Sequence, residues 1–157
     1  MTNEVWKIVE DYPNYMVSDH GNVMNIKRGK LLSLSVGNNG YVEVHLYLEG
    51  KPKAIGVHRL VATYFIREPK EDEVINHKDK VTWNNHKDNL EWCTQQYNVE
   101  YSKAKRYSFK NTEGSRVDVF NLSKFCREES LNKGHMVQLS KGSTLRSQHK
   151  GWTLWAE

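Results

Sequence analysis

The stretch INHKDKVTWNNHKDNLEWCTQQYN, residues 75–98, gathers two histidines and five asparagines between polar neighbours. An imidazole near its ordinary pKa is mostly neutral at neutral pH and can take a proton from water. Amide oxygens are hard donors suited to a divalent ion such as Mg2+. The stretch therefore holds side chains able to serve as a base, among its histidines, and as cation ligands, among its asparagines. Asparagines of a loop and of a helix surface are the plain alternative for the ligands. Trp83 and Trp92 read as core or loop anchors.

These side chains need a frame. VIN enters as a strand and NLEWCT returns as one, with KDKVTWNNHKD as the loop between them. TQQYNVEYSKAKR then has helix-forming composition, with Thr94 placed as an N-cap. In a strand, loop, strand, helix unit, the end of the first strand and the helix face each other across a small cleft, so Asn76, His77 and Asn98 are expected to meet there. Upstream, VHRLVATYFI has helical spacing, with Leu60, Val61, Tyr64 and Phe65 on one stripe, and stops before Pro69. GYVEVHLYL alternates Val42, Val44, Leu46 and Leu48 against Glu43, His45 and Tyr47, then turns at EGKPK, which predicts a sheet with one buried face. EVWKIV reads as a short strand, and MVSDHGNVMNI as two strand pieces joined at His20 and Gly21.

VHRLVATYF followed by INH, NNHKDNLEWCT and a later Asn resembles the HNH endonuclease family, in particular its phage and intron homing branch, with the ββα-metal fold. The resemblance covers about residues 57–101 and puts the family's motif positions at His77, Asn89 and Asn98, spaced by twelve and then nine residues. It implies cleavage of DNA phosphodiester bonds, leaving 5′-phosphate and 3′-hydroxyl ends. Such hydrolysis needs an activated water, in-line geometry and neutralisation of charge on the phosphoryl and leaving oxygens. His77 suits the base, and Asn76 and Asn98 suit one Mg2+ or Mn2+. By the same resemblance Asn89 holds the loop and orients the His77 strand. Some relatives place a carboxylate where this chain has Asn76. Two neutral amides are expected to hold a cation weakly until DNA phosphate joins them. Asp79 is the nearest spare carboxylate, and it is not assigned as a ligand. His58 reads as a packing or hydrogen-bonding residue, and His86 as a loop residue near phosphate. His20, His45, His135 and His149 carry no catalytic motif.

At 157 residues the chain is one ordinary domain or two to three small modules. It has no apolar run near the roughly 20 residues that cross a bilayer, and its first residues lack the pattern of a secretion signal. A soluble protein of the cytoplasm, in a bacterial or phage-infected cell, is expected. Cys93 and Cys126 are far apart and form no CxxC pair, so a disulfide framework and a four-cysteine zinc site are excluded. Residues 1–101 carry 12 Lys and Arg against 14 Asp and Glu, whereas residues 102–157 carry 11 against 5. A polyanion is best gripped by that basic last third, unless it is only a solvated face.

The flanks extend the resemblance. EVWKIVEDYPNYMVSDHGNVMN is similar to the short module that often precedes this nuclease in phage endonucleases. Its basic tip, Lys27, Arg28 and Lys30, either lies along a DNA backbone or is a solvated hairpin end. In the last third, Leu122, Phe125 and Cys126 stripe one helix, Ser130 to Asn132 break it, and Met136, Val137 and Leu139 stripe a second that closes at Gly142. Two such helices suggest a helix-turn-helix-like DNA reader, with Lys133, His135, Gln138, Lys141 and Arg146 as contacts to phosphate or base edges. A helical hairpin for protein contact is the alternative.

The expected architecture is α+β: a β-rich module over 1–54, an HNH core over 55–101, a linker over 102–107 and a helical DNA-binding module over 108–157. The expected partner is double-stranded DNA. One ββα site cuts one strand, so a monomer nicks, and a double-strand cut needs a dimer or sequential attack. The competing function is a sequence-specific DNA-binding regulator that kept the fold without catalysis.

Overall fold

The computed structural model describes residues 3–142 and 148–155. The chain forms two compact units, Met1–Gln95 and Gln96–Glu157, and the architecture is α+β.

In the first unit, β1 (Trp6–Ile8), β2 (Tyr15–Ser18), β3 (Val23–Asn25) and β4 (Lys30–Leu31) make an antiparallel sheet in chain order. A second antiparallel sheet holds β5 (Ser35–Val36), β6 (Val42–Leu48) and β7 (Lys51–Gly56). The turn between β6 and β7 is only Glu49 and Gly50, with φ of 50° and 78°. Two positive-φ residues are what a tight twisted hairpin requires. EGKPK is therefore mostly strand, and Pro52 is tolerated because β7 lies at the sheet edge. Leu48, expected on the buried face, is exposed because it pairs with Lys51 at the hairpin tip.

Helix α1 (Val57–Phe65) follows β7 directly, and its stripe of Val57, Leu60, Val61 and Ala62 is buried. The hairpin of β8 (Glu73–His77) and β9 (Leu90–Thr94) then packs on α1, with a 3-10 turn over Lys87–Asn89 ahead of β9. One core joins both sheets, α1 and the hairpin: Val17 and Val23 from the first sheet, Val42, Val44 and Leu46 from the second, the α1 stripe, and Ile75 and Leu90 from the hairpin. The spans read as separate modules, 1–54 and 55–101, thus share a single interior. Strands of two to four residues bury too little apolar surface to stand alone.

Helix α2 (Gln95–Ser102) starts on the last residue of the first unit and otherwise belongs to the second, where β10 (Arg106–Lys110), β11 (Arg116–Phe120), α3 (Leu122–Glu128), α4 (Lys133–Ser140) and β12 (Thr153–Leu154) follow. Its sheet runs β11-β10-β12, all antiparallel. The span expected as a linker, 102–107, contains the end of α2 and the first two residues of β10. The two helices are capped by Asn121 and Asn132, whose side chains accept from Lys124 N and His135 N, each at 3.1 Å. Phe109, Val119, Leu122, Cys126, Met136 and Leu139 form the core. Arg127 grips Glu100 through two hydrogen bonds, which ties α3 to α2.

Candidate active site

His77 closes β8 with only 5% of its surface exposed. Its Nε2 lies 3.1 Å from Asn85 Oδ1, a residue itself 4% exposed. The Asn85 amide nitrogen faces the Trp83 carbonyl at 3.4 Å. A carbonyl only accepts, so Asn85 must present its oxygen to His77, and Nε2 must be the protonated nitrogen. The lone pair that can accept a proton is then on Nδ1. This is the tautomer control a general base needs, and the sequence reading passed over Asn85. Its signal was the NNH triplet, where the second Asn sits at the mouth of the loop.

Two further rings pack around that imidazole. His58 and Tyr41 rings stand 5.7 and 5.8 Å from His77 by centroid. His58 is buried, its Nδ1 has no hydrogen-bond partner among the described residues, and burial first, then the nearby His77 and Arg59 charges, push its pKa down to about 4. It packs as a neutral ring. Gly56 leaves room for it, since a Cβ there would stand 2.7 Å from the His58 ring.

Asn89 ends the 3-10 turn and closes the loop. Its Oδ1 accepts from Asp79 N at 3.0 Å, and its Nδ2 donates to Asp79 Oδ1 at 2.9 Å and to the Asn84 carbonyl at 2.8 Å. Every group of the amide is thus engaged with the loop that leads away from His77. Asp79 also accepts from Val81 N and Asn84 Nδ2. Burial works against ionising Asp79, but these donors and the His77 charge outweigh it and hold its carboxyl below the usual range.

Asn76 precedes His77 on β8, is 4% exposed, and donates through Nδ2 to Glu91 Oε1 at 2.7 Å across the hairpin. Asn98 lies half-buried on α2, in the second unit. Among the described residues no group of three or more His, Cys, Asp and Glu could hold a metal. Asn76 and Glu91 carry oxygen donors side by side on the hairpin, and a hard divalent cation such as Mg2+ suits oxygen donors better than a nitrogen- or sulfur-seeking metal does.

The N-terminal strands reach the site directly. Gly21, at φ 89°, lies so close to Asn85 that a Cβ would stand 2.9 Å from the Asn85 Cβ. Beside it, buried Asp19 accepts from Lys87 Nζ at 3.0 Å, and its carbonyl accepts from Lys87 N at 2.8 Å. The His20 and His86 rings meet at a tilt of 41°, with centroids 4.7 Å apart. Trp83, expected as an anchor, is 74% exposed, at the rim of a cavity of about 310 Å³ that Asn85 also lines. Trp92 does anchor, donating through Nε1 to the Arg67 carbonyl at 2.9 Å. Both thiols are held protonated: burial, then Glu91 and Glu73, push Cys93 to about 11, and burial raises Cys126.

Of the basic candidates, Lys27, Arg28 and Lys30 are exposed around the turn from β3 to β4. Lys133 and Gln138 are exposed on α4 and Lys141 just beyond it. His135 is half-buried and turns Nδ1 toward His149 Nδ1 at 3.3 Å. Arg146 lies outside the described residues.

Comparison with known proteins bears on the family. The family model described as HNH endonuclease matches residues 56–100, and one described as NUMOD4 motif matches residues 4–47. The DNA endonuclease I-HmuI of Bacillus phage SP01 is 35% identical, over 94% of this chain and 95% of its own. The H-N-H endonuclease F-TflII of Escherichia phage T5 is 39% identical, over 51% of this chain and 42% of its own. A solved structure, described as DNA binding and cleavage by the HNH homing endonuclease I-HmuI, superposes with a TM-score of 0.58 at 32% identity, covering 95% of each chain. The strand-end histidine, the amide-locked loop and a relative aligned over nearly both whole chains lead to one conclusion: this chain belongs to the HNH endonuclease family.

Proposed function

We propose that the chain hydrolyses phosphodiester bonds of double-stranded DNA at a preferred site, with His77 as general base beside one divalent cation, Mg2+ or Mn2+. The observation that carries this is the buried 3.1 Å contact between His77 Nε2 and Asn85 Oδ1, which leaves Nδ1 as the proton acceptor. Support for the substrate comes from relatives named as DNA endonucleases.

Asn76 and Asn98 would hold the ion through their amide oxygens. When bound, it neutralises charge growing on the phosphoryl and leaving oxygens. His77 Nδ1 takes the proton of the attacking water, while Asn85 keeps Nε2 protonated and the ring in place. Asn89 acts through the loop, fixing Asp79 and Asn84 so that Asn85 stays under His77. Lys27, Arg28 and Lys30 would lie along the DNA backbone, and Lys133, His135, Gln138, Lys141 and Arg146 would contact phosphate or base edges. One such site nicks one strand.

Supercoiled plasmid incubated with the protein in Mg2+, in Mn2+ and in chelator tests this. Nicking is expected with either ion, none with chelator, and a loss of at least about 100-fold in His77→Ala. Tight binding without metal-dependent nicking would assign the chain instead to DNA-binding regulators.

A further inference from the structure

The cation reading leaves a difficulty of charge. Asn76 and Asn98 are neutral, and two amides compete poorly with water for a divalent ion. The hairpin offers an anion at the right place. Glu91 is the cross-strand partner of Asn76 in the β8–β9 register, half-buried, and its Oε1 accepts from Asn76 Nδ2 at 2.7 Å. A carboxylate can only accept, so this bond decides which end of the amide faces Glu91. The nitrogen is committed to Glu91, and Oδ1, the end that binds a cation, is turned the other way. Among the described residues no other hydrogen bond reaches the Asn76 side chain, and no Lys, Arg or His forms an ion pair with Glu91. A half-buried carboxylate without a cationic partner is an unbalanced charge.

Resting on that reading of the site, we propose that Glu91 supplies the negative charge of the cation site. The carboxylate stands on β9, directly opposite Asn76 on β8. Oε1 locks the Asn76 amide with its oxygen toward the ion, and the formal charge stands one hydrogen bond away. The expectation that two neutral amides wait for DNA phosphate is thereby replaced: the site holds a divalent ion without DNA.

The test is Mn2+ binding to the full chain without DNA, followed by electron paramagnetic resonance, for the wild type, Glu91→Gln and Asn76→Asp/Glu91→Gln. Gln keeps an acceptor for the Asn76 amide and removes only the charge. Glu91→Gln is expected to weaken Mn2+ binding by about 10- to 100-fold, the range found when groups supporting a metal ligand are lost. The double variant, which moves the charge to β8, is expected to recover binding to within a few-fold of the wild type. Unchanged binding in Glu91→Gln, no recovery in the double variant, or no wild-type binding at millimolar Mn2+ each overturns the proposal. If Glu91→Gln melts well below the wild type, the double variant alone decides. Plasmid nicking by the wild type separates the two levels: nicking with Mn2+ binding indifferent to Glu91 sinks only this inference, and absence of nicking sinks the nuclease reading itself.

Discussion

Asn85 Oδ1 and His77 Nε2 meet at 3.1 Å in a buried contact, and the Trp83 carbonyl on the far side of the amide fixes its orientation. Asn85 is a positioning residue by this geometry, so its variants should alter the pH dependence of cutting. Asn85→Ala should lower the rate by about 10- to 100-fold, less than or equal to loss of the base itself. Asn85→Asp keeps the acceptor and adds a negative charge, which favours the imidazolium. Its acid limb should move to higher pH while cutting at pH 8 or above survives. An unshifted profile in Asn85→Asp would falsify the positioning role.

Gly21 couples the N-terminal strands to that contact. A methyl group at this position meets the Asn85 Cβ at 2.9 Å, and φ 89° disfavours any L side chain. Gly21→Ala should destabilise the fold by about 1–3 kcal/mol and reduce nicking by more than the folded fraction explains. Thermal melts and nicking rates on one preparation separate the two effects. A cutting rate that simply follows the melt would show that Gly21 matters to folding alone.

His58 makes stability depend on pH. Its folded pKa of about 4 lies below the free value of 6.5, so the unfolded chain binds a proton first as pH falls. Stability is complete above 6.5 and is lost progressively down to about 4, by on the order of 3 kcal/mol from this group. His58→Leu removes the titration and the unpartnered Nδ1. Its melting temperature should fall less than that of the wild type between pH 7 and 5. Parallel falls in the two proteins would place the acid sensitivity in groups other than His58, and not in Asp19 or Asp79, whose lowered carboxyl pKa values cost stability only below about pH 5.

Asn89 should fail differently from His77. Replacing it with Ala removes the partners of Asp79 N and the Asn84 carbonyl, at a cost of about 1–3 kcal/mol. Asn89→Asp is expected to be worse, because it loses both donated bonds and sets a carboxylate against Asp79. Both variants should show lower melting temperatures together with lost cutting, whereas His77→Ala should lose cutting with little change in melting. Wild-type melting in Asn89→Asp would remove the loop-closing role.

The elements that carry the site were legible because their patterns are local. The α1 stripe, the INH and NLEWCT strands and the two helices that end at Gly142 follow from spacing and caps. Three features were hidden for a common reason, which is that they are relations between distant positions. The packing of Gly21 on Asn85 joins residues far apart in sequence, and the shared core of residues 1–95 depends on strands too short to signal where they bury. Glu91 was visible only as a letter of NLEW until the register paired it with Asn76. The β10 and β11 strands went unread for another reason: the linker over 102–107 took the start of β10 and the rest fell in a module read only for its helices, although Tyr107, Phe109, Val117 and Val119 alternate there.

The basic last third makes its own prediction through salt. Lys133 and Lys141 are exposed at the two ends of α4, while Met136 and Leu139 hold its other face in the core. A lysine that neutralises a phosphate releases counterions, so its removal should lower the slope of log affinity against log salt by about 1. Lys133→Ala and Lys141→Ala should each do so and weaken all DNA sequences alike. Gln138→Ala should leave the slope intact and instead flatten preference at one base position, by about 1–3 kcal/mol. Binding titrations at several salt concentrations, on a selected site and on random duplex, read both quantities. Slopes unchanged in both lysine variants would mean that α4 does not lie on the DNA, and the grip would then have to come from Lys27, Arg28 and Lys30, whose triple replacement should lower the slope by about 3.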